Sequence, residues 1–303
     1  MDVNFELYKI FYHVARTGSF SAAANALYIS QSAVSQNIKN LEQKLGNELF
    51  FRKSRQIKLT PEGELLYHHI TQAYQWIKNA ENQLDQIHGL EAGEIRIGAS
   101  DTVCKYFLLP YFRDFRKAYP QIKIRVVNRT SAQIKEILKK GDIDFGIVTL
   151  PQSDSQVRAD AWKTVADIFV AAAAPAAAPA PQYAALKDKK NSLTELLQFP
   201  MLLLEKSSTA RQNLDRFLRD RHLEIAPELE LESNDLLLEF ARIGFGIAYV
   251  LRDSALPDLA SGSLFEVQVA DALPPHPIGI ITLNHAPLPK SAQRFLELLR
   301  ENP

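Results

Sequence analysis

Ser32, Ser35, Gln36 and Lys39 are spaced i, i+3, i+4 and i+7, one face of a helix, and Gln31 stands at its N-terminal tip. Short hydroxyls and amides near a helix start can reach base edges in a major groove, and a lysine further along can meet a phosphate. An ordinary solvated helix face has the same composition, so these residues do not decide the matter alone. Arg52, Lys53 and Arg55 follow in a stretch from Leu49 to Pro61 that holds no acid. Such a run suits a polyanion, and it also suits an exposed loop. A third set comprises hydroxyls where a strand pattern gives way to a helix pattern: Ser100 and Thr102, Thr130 and Ser131, and Ser208. Unpaired N–H groups at helix starts favour a small anion such as a carboxylate, or the hydroxyls serve only as caps. Thr149 and Ile247 are expected at neighbouring strand ends, and Asp101 opposes a strongly anionic ligand unless Arg129 offsets it.

Other chemistry finds little support. Gly244-Phe245-Gly246 leads into a strand rather than opening a helix, so no dinucleotide cofactor is expected. His68 and His69 are adjacent on a helix and point about 100° apart, which does not suit one metal. Cys104, the single cysteine, has no second thiol to resolve an oxidised form and reads as an inert thiol in a reducing compartment. No nucleophile with a paired base is evident, so an enzyme is not expected.

The elements that must position these residues can be read from periodicity. Leu7, Ile10, Phe11, Val14 and Ala15 make an amphipathic helix stopped by Thr17-Gly18; Phe20, Ala23, Ala24 and Leu27 make a shorter one, with Ser21 as its expected cap. After a brief turn the polar-faced helix opens at Gln31, buries Val34, Ile38, Leu41 and Leu45, and ends at Gly46. Two helices joined by a tight turn are the geometry that presents a recognition helix to DNA, and Leu49–Phe51 with Ile57–Leu59 would form a wing beside it. Thr60 caps and Pro61 opens a long helix on which Leu66, Ile70, Ala73, Ile77, Ala80, Leu84 and Ile87 alternate at four and three. That is a heptad seam, which pairs helices, although a helix packed on its own domain gives a similar stripe. From Glu94 strands alternate with helices, which implies parallel sheets in two lobes, and the Ala/Pro tract from Ala171 to Pro181 reads as an exposed loop.

Bulk composition agrees. With 303 residues the chain exceeds one ordinary core, and 46% hydrophobic with 23% charged residues is globular. No apolar run is long enough to span a bilayer and Asp2 and Glu6 sit where a basic leader would, so a cytoplasmic protein is expected. The net charge of zero is unevenly spread: eight basic side chains (Lys9, Arg16, Lys39, Lys44, Arg52, Lys53, Arg55, Lys58) against four acids (Asp2, Glu6, Glu42, Glu48) leave +4 on residues 1–60 and −4 on the rest.

The run FYHVARTGSFSAAANALYISQSAVSQNIKNLEQKLGNELFFRKSRQIKLTPEGELL resembles the helix-turn-helix of the LysR family from end to end. The likeness rests on Gly18-Ser19-Phe20, Ala23-Ala24, Leu27, Ser30-Gln31-Ser32-Ala33-Val34-Ser35, Ile38, Leu41-Glu42, Leu45-Gly46, Leu49-Phe50, Arg52 and Leu59-Thr60-Pro61-Glu62-Gly63. It departs at Ser32, where proline is common. Further on, Gly141-Asp142-Ile143-Asp144 and ARIGFGIAYV are similar to that family's effector domain. The resemblance implies an α+β multidomain regulator: a winged helix-turn-helix (1–60), a long linker and dimerisation helix (61–89), and a two-lobed α/β domain of the type 2 periplasmic-binding-protein kind (90–303; lobe I 94–164 and 270–303, lobe II 165–269). It further implies promoter DNA, a small and anionic effector between the lobes, a homodimer or homotetramer, and RNA polymerase as partners.

Overall fold

The computed structural model describes residues 3–51, 57–85, 93–151, 154–173, 181–284 and 286–301. The chain divides into two units, residues 1–85 with 285–288 and residues 86–284 with 289–303.

In the N-terminal unit, α1 (Phe5–Thr17) begins where the Asn4 side chain accepts from the Glu6 N–H and ends at Gly18, φ 61°. Ser19, not Ser21, caps α2 (Phe20–Leu27), because the helix starts two residues earlier than its apolar pattern alone suggests. α3 (Gln31–Leu45) is capped by Ser30 and closed by Gly46, φ 70°. Leu7, Phe11, Val14, Ala23, Val34, Ile38 and Leu41 pack into one core with Leu49 and Phe50 of the hairpin. Phe50 pairs antiparallel with Leu59, and the Phe51 N–H donates to the Lys58 carbonyl at 2.9 Å. α4 (Pro61–Asp85) is tied to this hairpin by Thr60, whose Oγ1 donates to the Glu48 carbonyl at 2.7 Å and accepts from the Gly63 N–H at 3.0 Å. A Cβ on Gly63 would come within 2.1 Å of the Leu49 carbonyl oxygen, so glycine is what lets the helix sit this close.

In the C-terminal unit, β1 (Gly93–Ala99) leads into α5 (Asp101–Val103), which runs through a π-helical turn (Cys104–Leu108) into α6 (Leu109–Ala118). β2 (Ile122–Asn128), α7 (Ser131–Lys139), β3 (Phe145–Thr149) and β4 (Val157–Val165) follow. Ala166 alone separates β4 from β5 (Asp167–Ala172), the entry to the second lobe. That lobe continues with α8 (Leu193–Leu196), β6 (Met201–Leu204), α9 (Thr209–Arg219), β7 (Leu229–Leu231), α10 (Asn234–Arg242), β8 (Ile247–Leu251), α11 (Arg252–Ser261) and β9 (Leu264–Glu266). The chain then returns to the first lobe as β10 (His276–Leu283) and α12 (Lys290–Glu301). The sheets run β2-β1-β3-β10-β4 and β7-β6-β8-β5-β9. β1 to β3 are mutually parallel, as are β6 to β8, while β10 and β5 run antiparallel to their neighbours.

The motifs that looked family-specific have structural explanations. Asp144 takes two bonds from the Arg96 guanidinium, at 2.6 and 3.2 Å, and one from the Arg96 N–H at 2.7 Å, stapling β1 to the start of β3. A Cβ on Gly246 would meet the Pro200 carbonyl oxygen at 2.6 Å, so β8 can lie against β6 only with glycine there. Ala171 and Ala172, read as part of a loop, are buried residues of β5; residues 174–180 of the Ala/Pro tract lie outside the described residues.

Candidate functional site

On α3 the polar set lies together. Gln31, Ser32, Gln36 and Lys39 are exposed and Ser35 half-exposed, opposite buried Val34, Ile38 and Leu41. Gln31 Oε1 accepts from Ser21 Oγ at 3.2 Å and Ser32 Oγ lies 2.9 Å from Ser30 Oγ, so the tip is organised by its own neighbours. Glu42, buried on the far side, accepts from the Leu49 N–H at 2.9 Å and fixes the hairpin against α3. Arg52, Lys53 and Arg55 lie outside the described residues. Sequence reasoning passed over Tyr28, which is 96% exposed at φ 56° in the turn that delivers α3.

The α4 seam is only partly free. Leu66 packs into the core of the N-terminal unit, and Tyr67 and Tyr74 stack on Tyr12 of α1 with centroids at 6.0 and 4.6 Å. Ile70 and Ala73 are half-buried, while Ile77 and Ala80 are exposed, as are Leu65 and Trp76. The Leu84 side chain and Ile87 lie outside the described residues. The first turns of α4 therefore serve the domain they grow from, and the apolar surface left for a partner lies further along.

Between the two lobes of the C-terminal unit is a cleft of about 600 Å³, and Ser100, Thr102, Thr130, Ser131, Thr149 and Ser208 all line it. Each comes from the C-terminal end of a strand or the helix start that follows, where the first N–H groups have no partner within the helix itself. Ser100 Oγ accepts from the Val103 N–H, Thr130 Oγ1 from the Gln133 N–H, and Ser131 Oγ from the Thr149 N–H at 3.2 Å. Ser208 makes no capping bond, which leaves its hydroxyl and the first turn of α9 available. Arg211, 2% exposed, holds that turn in place through Asp215, Glu230 and the Leu204 carbonyl.

Ile247 is a correction. It sits at the first residue of β8, fully buried in the core of the second lobe with Met201 and Leu203, while the opposite end of the strand, Leu251, reaches the cleft. The strand therefore enters from the side away from the cleft, which its apolar run alone does not reveal. Sequence reasoning also missed Asn234, Asp167 and His276, which line the cleft. Asn234 follows the same strand-to-helix rule as the other tips, with Ser233 as cap, and was legible. Asp167 and His276 open β5 and β10 at the two crossovers, with His276 Nδ1 3.4 Å from Asp167 Oδ2, a meeting that only the topology creates. Burial pushes the Asp167 carboxyl up against the pull of His276 and Tyr249. It also pushes the Cys104 thiol up to about 11.

The lobes are joined across the cleft at one rim. Asn234 Nδ2 donates to Thr102 Oγ1 at 3.1 Å, and Asp235 accepts from Lys105 Nζ at 2.8 Å and Tyr106 Oη at 2.5 Å. Lys105 and Tyr106 belong to the π-helical turn, whose extra residue per turn changes the direction in which its side chains point.

A polar recognition helix with a hairpin on one unit, and a two-lobed clefted α/β domain on the other, define a DNA-binding protein that carries a ligand sensor. Residues 5–64 match the family profile "Bacterial regulatory helix-turn-helix protein, lysR family", and residues 88–303 match "LysR substrate binding domain". The chain belongs to the LysR family of transcriptional regulators. It is 28% identical over 252 residues to the RuBisCO operon transcriptional regulator of Allochromatium vinosum, covering 82% of this chain and 80% of the relative. To the transcriptional activator CmpR of Synechocystis it is 27% identical, covering 80% and 76%. A full-length OxyR variant from Pseudomonas aeruginosa shares the fold at TM-score 0.73 and 18% identity, covering 99% of this chain and 94% of that one. CrgA from Neisseria meningitidis gives TM-score 0.56 at 25% identity, with 99% of each chain covered. As a LysR-type regulator and not an enzyme, the chain binds promoter DNA under the control of a small-molecule effector, and it works as an oligomer. Among the described residues no helix is long and apolar enough to cross a membrane.

Proposed function

We propose that the effector sits in the cleft between the lobes, against Ser100, Thr102, Thr130, Ser131, Thr149 and Ser208, and that it presents an anionic group to the helix starts. The observation that carries this reading is that hydroxyl-bearing helix starts from both lobes, α7 and α9 among them, line one cleft. Promoter sequence is read by Gln31, Ser32, Ser35 and Gln36, with Lys39, Arg52, Lys53 and Arg55 on phosphates. The later α4 seam, from Ile70 through Ala80 to Leu84 and Ile87, pairs two copies, with residues 1–60, 61–89 and 90–303 as reader, linker and sensor. The cytoplasm, with RNA polymerase at the promoter, is the setting such a regulator requires.

A thermal-shift screen of the full chain against small acids tests the cleft. A true effector raises the melting temperature of the wild type and does so much less in Ser131→Ala and Ser208→Ala. A stabilising acid whose effect survives both substitutions would place the site elsewhere.

A further inference from the structure

Four buried side-chain atoms among the described residues have no hydrogen-bond partner: Thr71 Oγ1, Asn191 Oδ1, Asn234 Oδ1 and Asp167 Oδ2. Buried polar atoms are nearly always satisfied, so each exception calls for an explanation. Two of the four are acceptors on residues of the cleft wall. Asn234 is 6% exposed; its Nδ2 is used on Thr102, while its Oδ1 is not met. Asp167 is 5% exposed; its carboxyl is hydrogen-bonded by Tyr249, but its Oδ2 atom has no partner, His276 at 3.4 Å not being aligned to satisfy it. Neither acceptor answers an anion.

The charges of the wall point the same way. Asp101, Asp167 and Glu232 line the cleft against Arg129 and His276. A bare anion gains at the helix starts and loses along this wall, whereas a ligand that also carries donors gains at both. The sheet order β7-β6-β8-β5 sets the spacing. Asp167 on β5 lies two strands, roughly 10 Å, to one side of β6 and the α9 start; Asn234 follows β7, one strand to the other side. An acceptor close to the oxyanion and one further away therefore flank the anion-binding start of α9.

We propose that the effector is a hydroxy acid or amino acid: an oxyanion at the start of α9, one donor beside it on Asn234, and a second donor several bonds away on Asp167. This rests on the cleft being the effector site. Full-length protein is titrated calorimetrically with hexanoate, 2-hydroxyhexanoate, norleucine, 6-hydroxyhexanoate and 6-aminohexanoate, acids of one length that differ only in the donor. The donor-bearing acids are expected to bind at least tenfold more tightly than hexanoate. In Asp167→Asn the advantage of 6-aminohexanoate falls most, because the ammonium loses a carboxylate. If instead 6-hydroxyhexanoate loses as much as 6-aminohexanoate, the donor on Asp167 is a hydroxyl. Asn234→Leu removes the advantage of the 2-substituted acids alone. Hexanoate binding as tightly as every substituted acid, or no acid binding at 20 mM, would overturn the proposal, and the wild-type series decides even if a variant does not fold. The cleft itself is tested separately: acids whose binding is untouched by Ser131→Ala and Ser208→Ala would refute the site, whereas binding that those variants weaken without any donor preference refutes only the ligand class.

Discussion

Glu42 shows how much one side chain holds in the DNA-reading unit. It is 7% exposed and accepts from the backbone of Leu49, so its loss leaves buried donors unmet in the strand that carries the hairpin. Glu42→Ala is expected to destabilise the N-terminal unit by about 2–4 kcal/mol, the sum of a lost charge-assisted bond and an orphaned donor. With Trp162 replaced by phenylalanine, the fluorescence of Trp76 in α4 reports that transition alone. Gln31→Ala and Ser35→Ala act differently: each should leave stability intact and cost roughly 1–3 kcal/mol on the specific promoter, with little change on unrelated DNA. Equal losses on both DNAs would show that these side chains do not read bases. Cys104 gives a pH prediction. Its thiol is raised by burial from an ordinary value of 9.0 to about 11, so near pH 8 the folded thiol should react on the order of a hundredfold more slowly than in the unfolded chain, and its reactivity should climb as pH approaches 11. These single-residue features were legible where chemistry is local, as with the caps and the α3 face. The Asp167–His276 meeting was not, since the two residues are far apart in sequence and come together only when the crossovers form.

At the scale of elements, α4 has two jobs on different faces. Tyr67 and Tyr74 stack on α1, whereas Ile77, Ala80 and Trp76 are exposed, an apolar stripe suited to a second helix. Ile77→Asp combined with Leu84→Asp should turn the oligomer into monomers in sedimentation while the N-terminal unit keeps its melting behaviour; a monomeric wild type at micromolar concentration would refute the seam. The rim bridge makes a second prediction. Asp235 shares its carboxylate between Lys105 and Tyr106 of the other lobe, and both bonds pull its pKa down. Asp235→Asn or Tyr106→Phe should therefore raise hydrogen exchange at the starts of α10 and α6 and leave β6 protected. Unchanged exchange in both variants would mean the bridge does not hold the lobes. The period of the sequence foretold most helices and the central strands, but not β4, α11 or the π-helical turn. β4 alternates weakly because it is an outer strand, with Arg158 exposed and Asp160 and Lys163 half-exposed, and α11 carries Pro257 in its interior, a residue that normally argues against a helix.

For the whole molecule the uneven charge matters most. Residues 1–60 hold the excess of basic groups, so promoter affinity should fall steeply with salt, and Arg52→Ala should reduce the slope of log affinity against log salt by about one unit. The sensor can alter that affinity only by its own preference for one arrangement of the lobes, so a ligand that fits both equally would change nothing. The decisive measurement is fluorescence anisotropy of a promoter fragment with full-length protein, with and without an acid that stabilises the wild type in the thermal screen. The account predicts that the acid shifts the promoter affinity of the wild type severalfold, while Ser131→Ala and Ser208→Ala bind the promoter normally without it and no longer respond. A wild-type affinity that stays the same when the cleft is saturated would contradict it.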